Sequence, residues 1–139
     1  MTVRPLLLDT HVWIWLVEGH PRLPAAAVEH IEQAATASQV WVSAISAWET
    51  AMLVSKGRLV LACDVGQWVD QALALPGLRL MGLSPAISVD STRLPGDLHG
   101  DPADRIIAAT ARHLGAALVT ADDRLLTWAK AGHLLTLPV

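Results

Sequence analysis

Short, largely apolar runs alternate with stretches of helical periodicity from one end of the chain to the other, and that alternation leaves few folds open. Strands this short, separated by helices, imply right-handed crossovers and a parallel sheet covered on both faces. The spacing predicts strands over residues 5–8, 40–42, 78–83, 116–120 and 134–137. It predicts helices over 24–37, 46–56, 64–75, 84–94, 101–114 and 123–131, with 94–100 as the one clear loop. Gly57 stops the second of these helices; Asp64 is placed to cap the third, Pro76-Gly77 to stop it, and Ser84-Pro85 to open the fourth. Nothing reads as a repeat, low-complexity tract or linker, so residues 1–139 are expected to form a single domain, a three-layer α/β/α fold around a short-stranded central parallel sheet. In such sheets ligands bind beyond the carboxyl ends of the central strands, where strand order reverses.

Composition removes other classes. With 53% hydrophobic residues the chain can bury a core and is not disordered, yet no apolar run approaches the roughly 18–20 residues a spanning helix needs. The apolar start before Asp9 is too short for a secretory leader, so a cytosolic location is expected. The single cysteine, Cys63, permits no internal disulfide and no cysteine-based zinc cluster. Ten basic against thirteen acidic residues give a net charge of −3, which excludes a basic nucleic-acid-binding arm. A polyanionic substrate would have to be held by a local basic patch or by bound cations. Six Trp occur with no Phe or Tyr, and a Trp beside an apolar stretch reads as core or interface before it reads as a base-stacking platform.

Four carboxylates fall where apolar side chains are expected. Asp9 ends the first strand, and Asp122 follows the 116–120 strand closely, so the two converge if those strands are neighbours. Glu49 shares the helical stripe of Ile45, Trp48, Met52 and Leu53, and Asp104 continues that of Ile107, Ala108, Ala111 and Leu114 toward the helix start. Burying one ionised carboxylate without a partner costs several kcal/mol. Four together require cations, and hard oxygen ligands without sulfur suit Mg²⁺ or Mn²⁺. A divalent metal clamping phosphate oxygens points to phosphodiester hydrolysis. Simpler roles stand beside this one: Asp101 or Asp104 as helix-start groups, Asp123 as a cap, Glu49 in an ion pair, Asp9 in a turn. His11 and His99 lie two residues from Asp9 and Asp101, near enough to touch phosphate or to serve only as surface groups.

The blocks LLLDTHVWIW (residues 6–15), SAISAWETAMLVSKGRL (43–59) and HGDPADRIIAATARHLGAALVTADDRLL (99–126) together resemble PIN-domain ribonucleases, specifically VapC-type toxins of bacterial toxin–antitoxin pairs. The resemblance covers nearly the whole chain. It implies that Asp9, Glu49, Asp104 and Asp122 are the metal-binding and catalytic acids, the same four reached from periodicity. It implies supporting or substrate-contacting roles for Thr10 and Thr120, beside His11 as a substrate-contact candidate from its spacing, and leaves Asp101 open as ligand or cap. Mg²⁺- or Mn²⁺-dependent RNA cleavage, a homodimer and inhibition by a small VapB-type antitoxin follow as expectations, with Arg105, Arg112 and Arg124 as candidate phosphate contacts. Two other classes are weaker. A phosphatase with Asp9 as nucleophile would need an acid where this chain has His11, and a non-catalytic binding module of the same fold would not cut RNA.

Overall fold

A computed structural model describes residues 3–139. In chain order the elements are β1 (Leu6–Leu8), α1 (Thr10–Glu18), α2 (Ala25–Thr36), β2 (Val40–Ser43), α3 (Ala44–Ser55), α4 (Val65–Leu73), β3 (Leu78–Met81), α5 (Pro85–Ser91), α6 (Pro102–Leu114), β4 (Ala117–Thr120), α7 (Asp123–Trp128), a π-helical turn (Ala129–His133) and β5 (Leu135–Pro138). The five strands form one parallel sheet in the order β3-β2-β1-β4-β5. This is the three-layer α/β/α arrangement the alternation implies.

Period-two alternation divides β1 between two cores. Leu6 and Leu8 join Val40, Val42 and Val119 under Trp13, Ile31 and Trp68, whereas Leu7 joins Leu118 under Ile107, Ala108, Leu125 and Trp128 on the opposite face. Each of these large side chains is almost wholly buried, contributing about 1.5–3 kcal/mol apiece. β1 is central because only a strand buried on both faces can be apolar at every position. Its register sets Leu8 opposite Val119 on β4 and Val42 on β2, so Asp9 and Thr120 emerge side by side where strand order turns.

The structure adds an element that residues 9–23 did not announce. β-branched and aromatic residues with modest helix propensity fill α1, yet Asp9 caps its first turn and Val12, Trp13 and Ile14 are buried. Tertiary burial outweighs propensity here. Some boundaries shift as well: α5 stops at Ser91, and α7 gives way after Trp128 to the π-helical turn, which passes through Gly132 at φ 90°.

Candidate active site

The site begins with the paired ends of β1 and β4. The Asp9 amide donates to the Val119 carbonyl at 3.0 Å, fixing the backbone at the strand exit. Its carboxylate accepts from the Thr10 amide at 2.8 Å through Oδ1 and from the Thr120 hydroxyl at 2.7 Å through Oδ2. Thr120 in turn accepts from the Asp122 amide at 3.0 Å. One buried threonine thus links the Asp9 carboxylate to the backbone of Asp122. Asp122 is itself the cap of α7, accepting from the Arg124 and Leu125 amides; the cap is Asp122 rather than Asp123, and capping and facing the cleft fall on one residue.

Glu49 arrives from α3. Its Oε1 accepts from the Thr10 hydroxyl at 2.6 Å, and because that hydroxyl has only one hydrogen, Ser46 Oγ, 2.8 Å away, donates to Thr10. The expected apolar stripe of this helix is only partly present. Ser46 and Thr50 are the buried residues while Trp48 is 56% exposed, because α3 packs against α1, α4 and α6 and small polar side chains allow that close approach. Asp104 sits in the first turn of α6, its Oδ2 2.7 Å from His99 Nε2, and its amide donates to the capping Asp101 at 3.1 Å.

Asp9, Glu49, Asp101, Asp104 and Asp122 line one cavity of about 350 Å³, together with His11, Trp15, Arg22 and Arg124. Burial holds Asp9 above the usual carboxylate range, against the bonds from Thr120 and Thr10. Burial pushes Glu49 up to about 7, with repulsion from Asp104, Asp9 and Asp101 adding to it and the Thr10 bond opposing it. Asp104 is raised for the same first reason, opposed by His99 and reinforced by Asp101, Asp9 and Asp122. Arg124 Nε stands 4.0 Å from Asp122, the one arginine contact to these acids among the ion pairs of the described residues. The donor set is oxygen-rich and sulfur-free, and the acids raise one another's proton affinity, so a hard divalent cation fits the charge and chemistry of the cleft. The carboxylates stand around it rather than in contact: among the described residues no three His, Cys, Asp or Glu side chains are gathered at metal-cluster spacing.

Several of the roles expected for individual residues change once their side chains are placed. Thr10 and Thr120 are buried, at 1% and 0% exposure, and spend their hydroxyls on Glu49 and Asp9, so they position acids and do not face substrate. Arg105 does not reach the cleft. Its Nε donates to the Ser91 carbonyl at 2.8 Å and Nη1 to the Leu98 carbonyl at 2.9 Å, pinning the end of α5 and the following loop onto α6. Arg112 lies in the last turn of α6, about 12 Å along the axis from Asp104, and donates to the His133 carbonyl. Arg124 and the exposed His11 do line the cleft. Trp15 and Arg22 line it too, although no spacing in the sequence points to them, since residues 9–23 carry no clear periodicity that would give either side chain a direction.

A family model described as the PIN domain matches residues 6–131. Among curated proteins, Ribonuclease VapC22 of Mycobacterium tuberculosis is 40% identical over 120 residues, covering 86% of this chain and 88% of the relative. Among solved structures, VapBC2 from Rickettsia felis bound to a promoter DNA fragment superposes with a TM-score of 0.70 at 20% identity, covering 96% of this chain and 97% of that one. A toxin–antitoxin complex from Klebsiella pneumoniae gives 0.55 at 26% identity over 84% and 86% of the two chains. At 20% identity the Rickettsia likeness is one of fold.

Proposed function

This chain belongs to the PIN-domain family, and on that premise we propose how its cleft cuts RNA. The protein is a VapC-type ribonuclease, the toxin of a toxin–antitoxin pair, hydrolysing RNA phosphodiester bonds with a divalent metal. The observation that carries the chemistry is the convergence of acids from separate elements into one 350 Å³ cleft, with Glu49 raised to about 7.

Asp9, Asp104 and Asp122 are assigned as ligands of Mg²⁺ or Mn²⁺, each oriented by its own partner: Thr120 for Asp9, His99 for Asp104, the α7 amides for Asp122. A divalent cation held by these acids would supply positive charge toward the scissile phosphate and acidity to a water. Glu49, aimed by the Thr10 hydroxyl, positions that water and takes its proton at Oε2, the oxygen Thr10 leaves free, or helps hold a second cation. Asp101 caps α6 and adds negative charge at the rim, and His11 and Arg124, which line the cleft, are assigned as contacts to phosphate oxygens.

A VapB-type antitoxin is the protein partner; the family resemblance implies that its C-terminal segment enters the groove and that the toxin is a homodimer. Exposed Trp48, Val60, Leu80 and Leu83 supply apolar surface for such contacts. Among the described residues no helix is long and apolar enough to cross a membrane. The test is cleavage of total RNA by the purified toxin in Mg²⁺, Mn²⁺ or EDTA, with ends mapped by sequencing, beside Asp104→Asn and Glu49→Gln. Metal-dependent cuts lost in both variants are expected; equal cutting in EDTA would refute the assignment.

A further inference from the structure

One wall of the acid cleft is aromatic and cationic rather than acidic. Arg22 Cζ lies 4.7 Å above the centre of the Trp15 ring, the His20 ring stacks on Trp15 at 6.1 Å with 28° between planes, and His11 stands 6.2 Å away. Trp15, Arg22 and His11 line the same cavity as Asp9, Glu49, Asp104 and Asp122. The shelf is built by the backbone. Gly19 closes α1 at φ 63°, a conformation only glycine adopts without strain, and turns the chain back so that the His20 amide donates to the Trp15 carbonyl at 2.9 Å. The Arg22 amide then donates to His20 Nδ1 at 3.1 Å, and buried Leu23 anchors the return.

The guanidinium so presented is exposed, and none of the ion pairs among the described residues includes it. In a chain of net charge −3, an arginine held at the rim of a carboxylate cleft without a carboxylate partner is free to meet an anion arriving there. An acidic peptide would find charge for Arg22 but nothing for the flat ring and guanidinium planes. A nucleotide supplies both, provided its base is unpaired, since a base within a duplex cannot expose its face.

We propose that Trp15 and Arg22 form a nucleotide-binding shelf that holds one unpaired residue of the RNA beside the scissile phosphate, base against the stacked planes and phosphate on the guanidinium. The inference rests on the ribonuclease reading of the cleft. It makes the target a single-stranded or looped segment at that position. Both residues would bind substrate, and neither is among the acids assigned to the metal.

The experiment uses an RNA oligonucleotide spanning a site that the wild-type toxin cuts in total RNA, assayed in Mn²⁺ across a series of NaCl concentrations. Arg22→Ala is expected to raise KM roughly tenfold with little change in kcat, and to flatten the log–log salt dependence of binding by about 0.7. Arg22→Lys should restore the salt slope but not the full affinity, because an ammonium has no plane to stack. Trp15 also packs on the core, so Trp15→Phe, which keeps a ring, is the variant to use there, with a smaller rise in KM. Arg22→Ala should leave the Mn²⁺-induced rise in melting temperature intact. If Arg22→Ala instead lowers the melting temperature while KM and salt slope stay at wild-type values, the pair is only a staple for the loop and the shelf is overturned. If the wild type cuts no RNA in Mn²⁺, the reading of the cleft fails and the shelf falls with it.

Discussion

Replacing Glu49 with Gln should make the metal-free protein more stable, by an amount that grows from about pH 4.5 to about pH 7 and persists above it. Glu49 is raised from 4.5 to about 7, with burial the leading cause. Below pH 4.5 the group is protonated both folded and unfolded and contributes no difference. As pH rises from 4.5 to about 7 the unfolded chain ionises while the folded one resists, so stability is lost through that window and stays lost above it. Taken at face value the shift is worth about 3 kcal/mol. Glu49 is only partly buried, and solvent screening reduces this to about 1–2 kcal/mol. Gln keeps an oxygen to accept from Thr10, so the substitution removes the charge and little else. For a chain of this size the gain corresponds to roughly 3–10 °C in melting temperature. The assay is thermal unfolding of wild type and Glu49→Gln in EDTA at pH 4, 6 and 8. Near-equal values at pH 4 that diverge in favour of the variant by pH 8 are expected. A difference independent of pH, or a less stable variant at pH 8, would refute the claim that charge in this cleft opposes folding.

Mn²⁺ or Mg²⁺ should raise the wild-type melting temperature by mass action, by about 2.7 kcal/mol of stability at a concentration one hundred times Kd; no shift at millimolar Mn²⁺ would sink the shared metal site. Asp104→Asn should cut RNA cleavage by at least about 100-fold while apo stability stays level or rises, whereas Asp101→Asn, which keeps a capping oxygen for the Asp104 amide, should cost less than about 0.5 kcal/mol and far less activity. Comparable losses of activity in the two would leave Asp104 no special role. Thr120→Val removes the hydroxyl that Asp9 accepts from and that receives the Asp122 amide, so it should destabilise by about 1–3 kcal/mol and weaken Mn²⁺ binding roughly 10- to 100-fold, both read from melting curves with titrated metal. Arg105→Ala should cost about 1–3 kcal/mol by freeing the Ser91 and Leu98 carbonyls, with the Mn²⁺ shift intact; lost RNA affinity at unchanged stability would return Arg105 to the substrate.

The layered fold is legible in the chain because its evidence is local. The all-leucine β1, the stripe of Ile107, Ala108 and Ala111, and the caps at Asp64, Ser84 and Asp101 each state within a few residues which face is buried or where a helix starts. The four cleft acids are legible for the same reason, since a carboxylate at a strand exit or on an apolar stripe contradicts its surroundings wherever the neighbours lie. What only the tertiary structure decided is what depends on distant partners. α1 is a helix because Asp9 caps it and the sheet buries Val12, Trp13 and Ile14, although its own residues are weak helix formers. The four arginines Arg22, Arg105, Arg112 and Arg124 look alike as letters, yet one lies over Trp15, two are spent on carbonyls 7 to 21 residues away, and one stands by Asp122. A short side chain's direction follows from its place on a helix or strand. A long cationic one takes its direction from whichever acceptor or ring the folded chain brings within reach, and that is a property of packing rather than of sequence spacing.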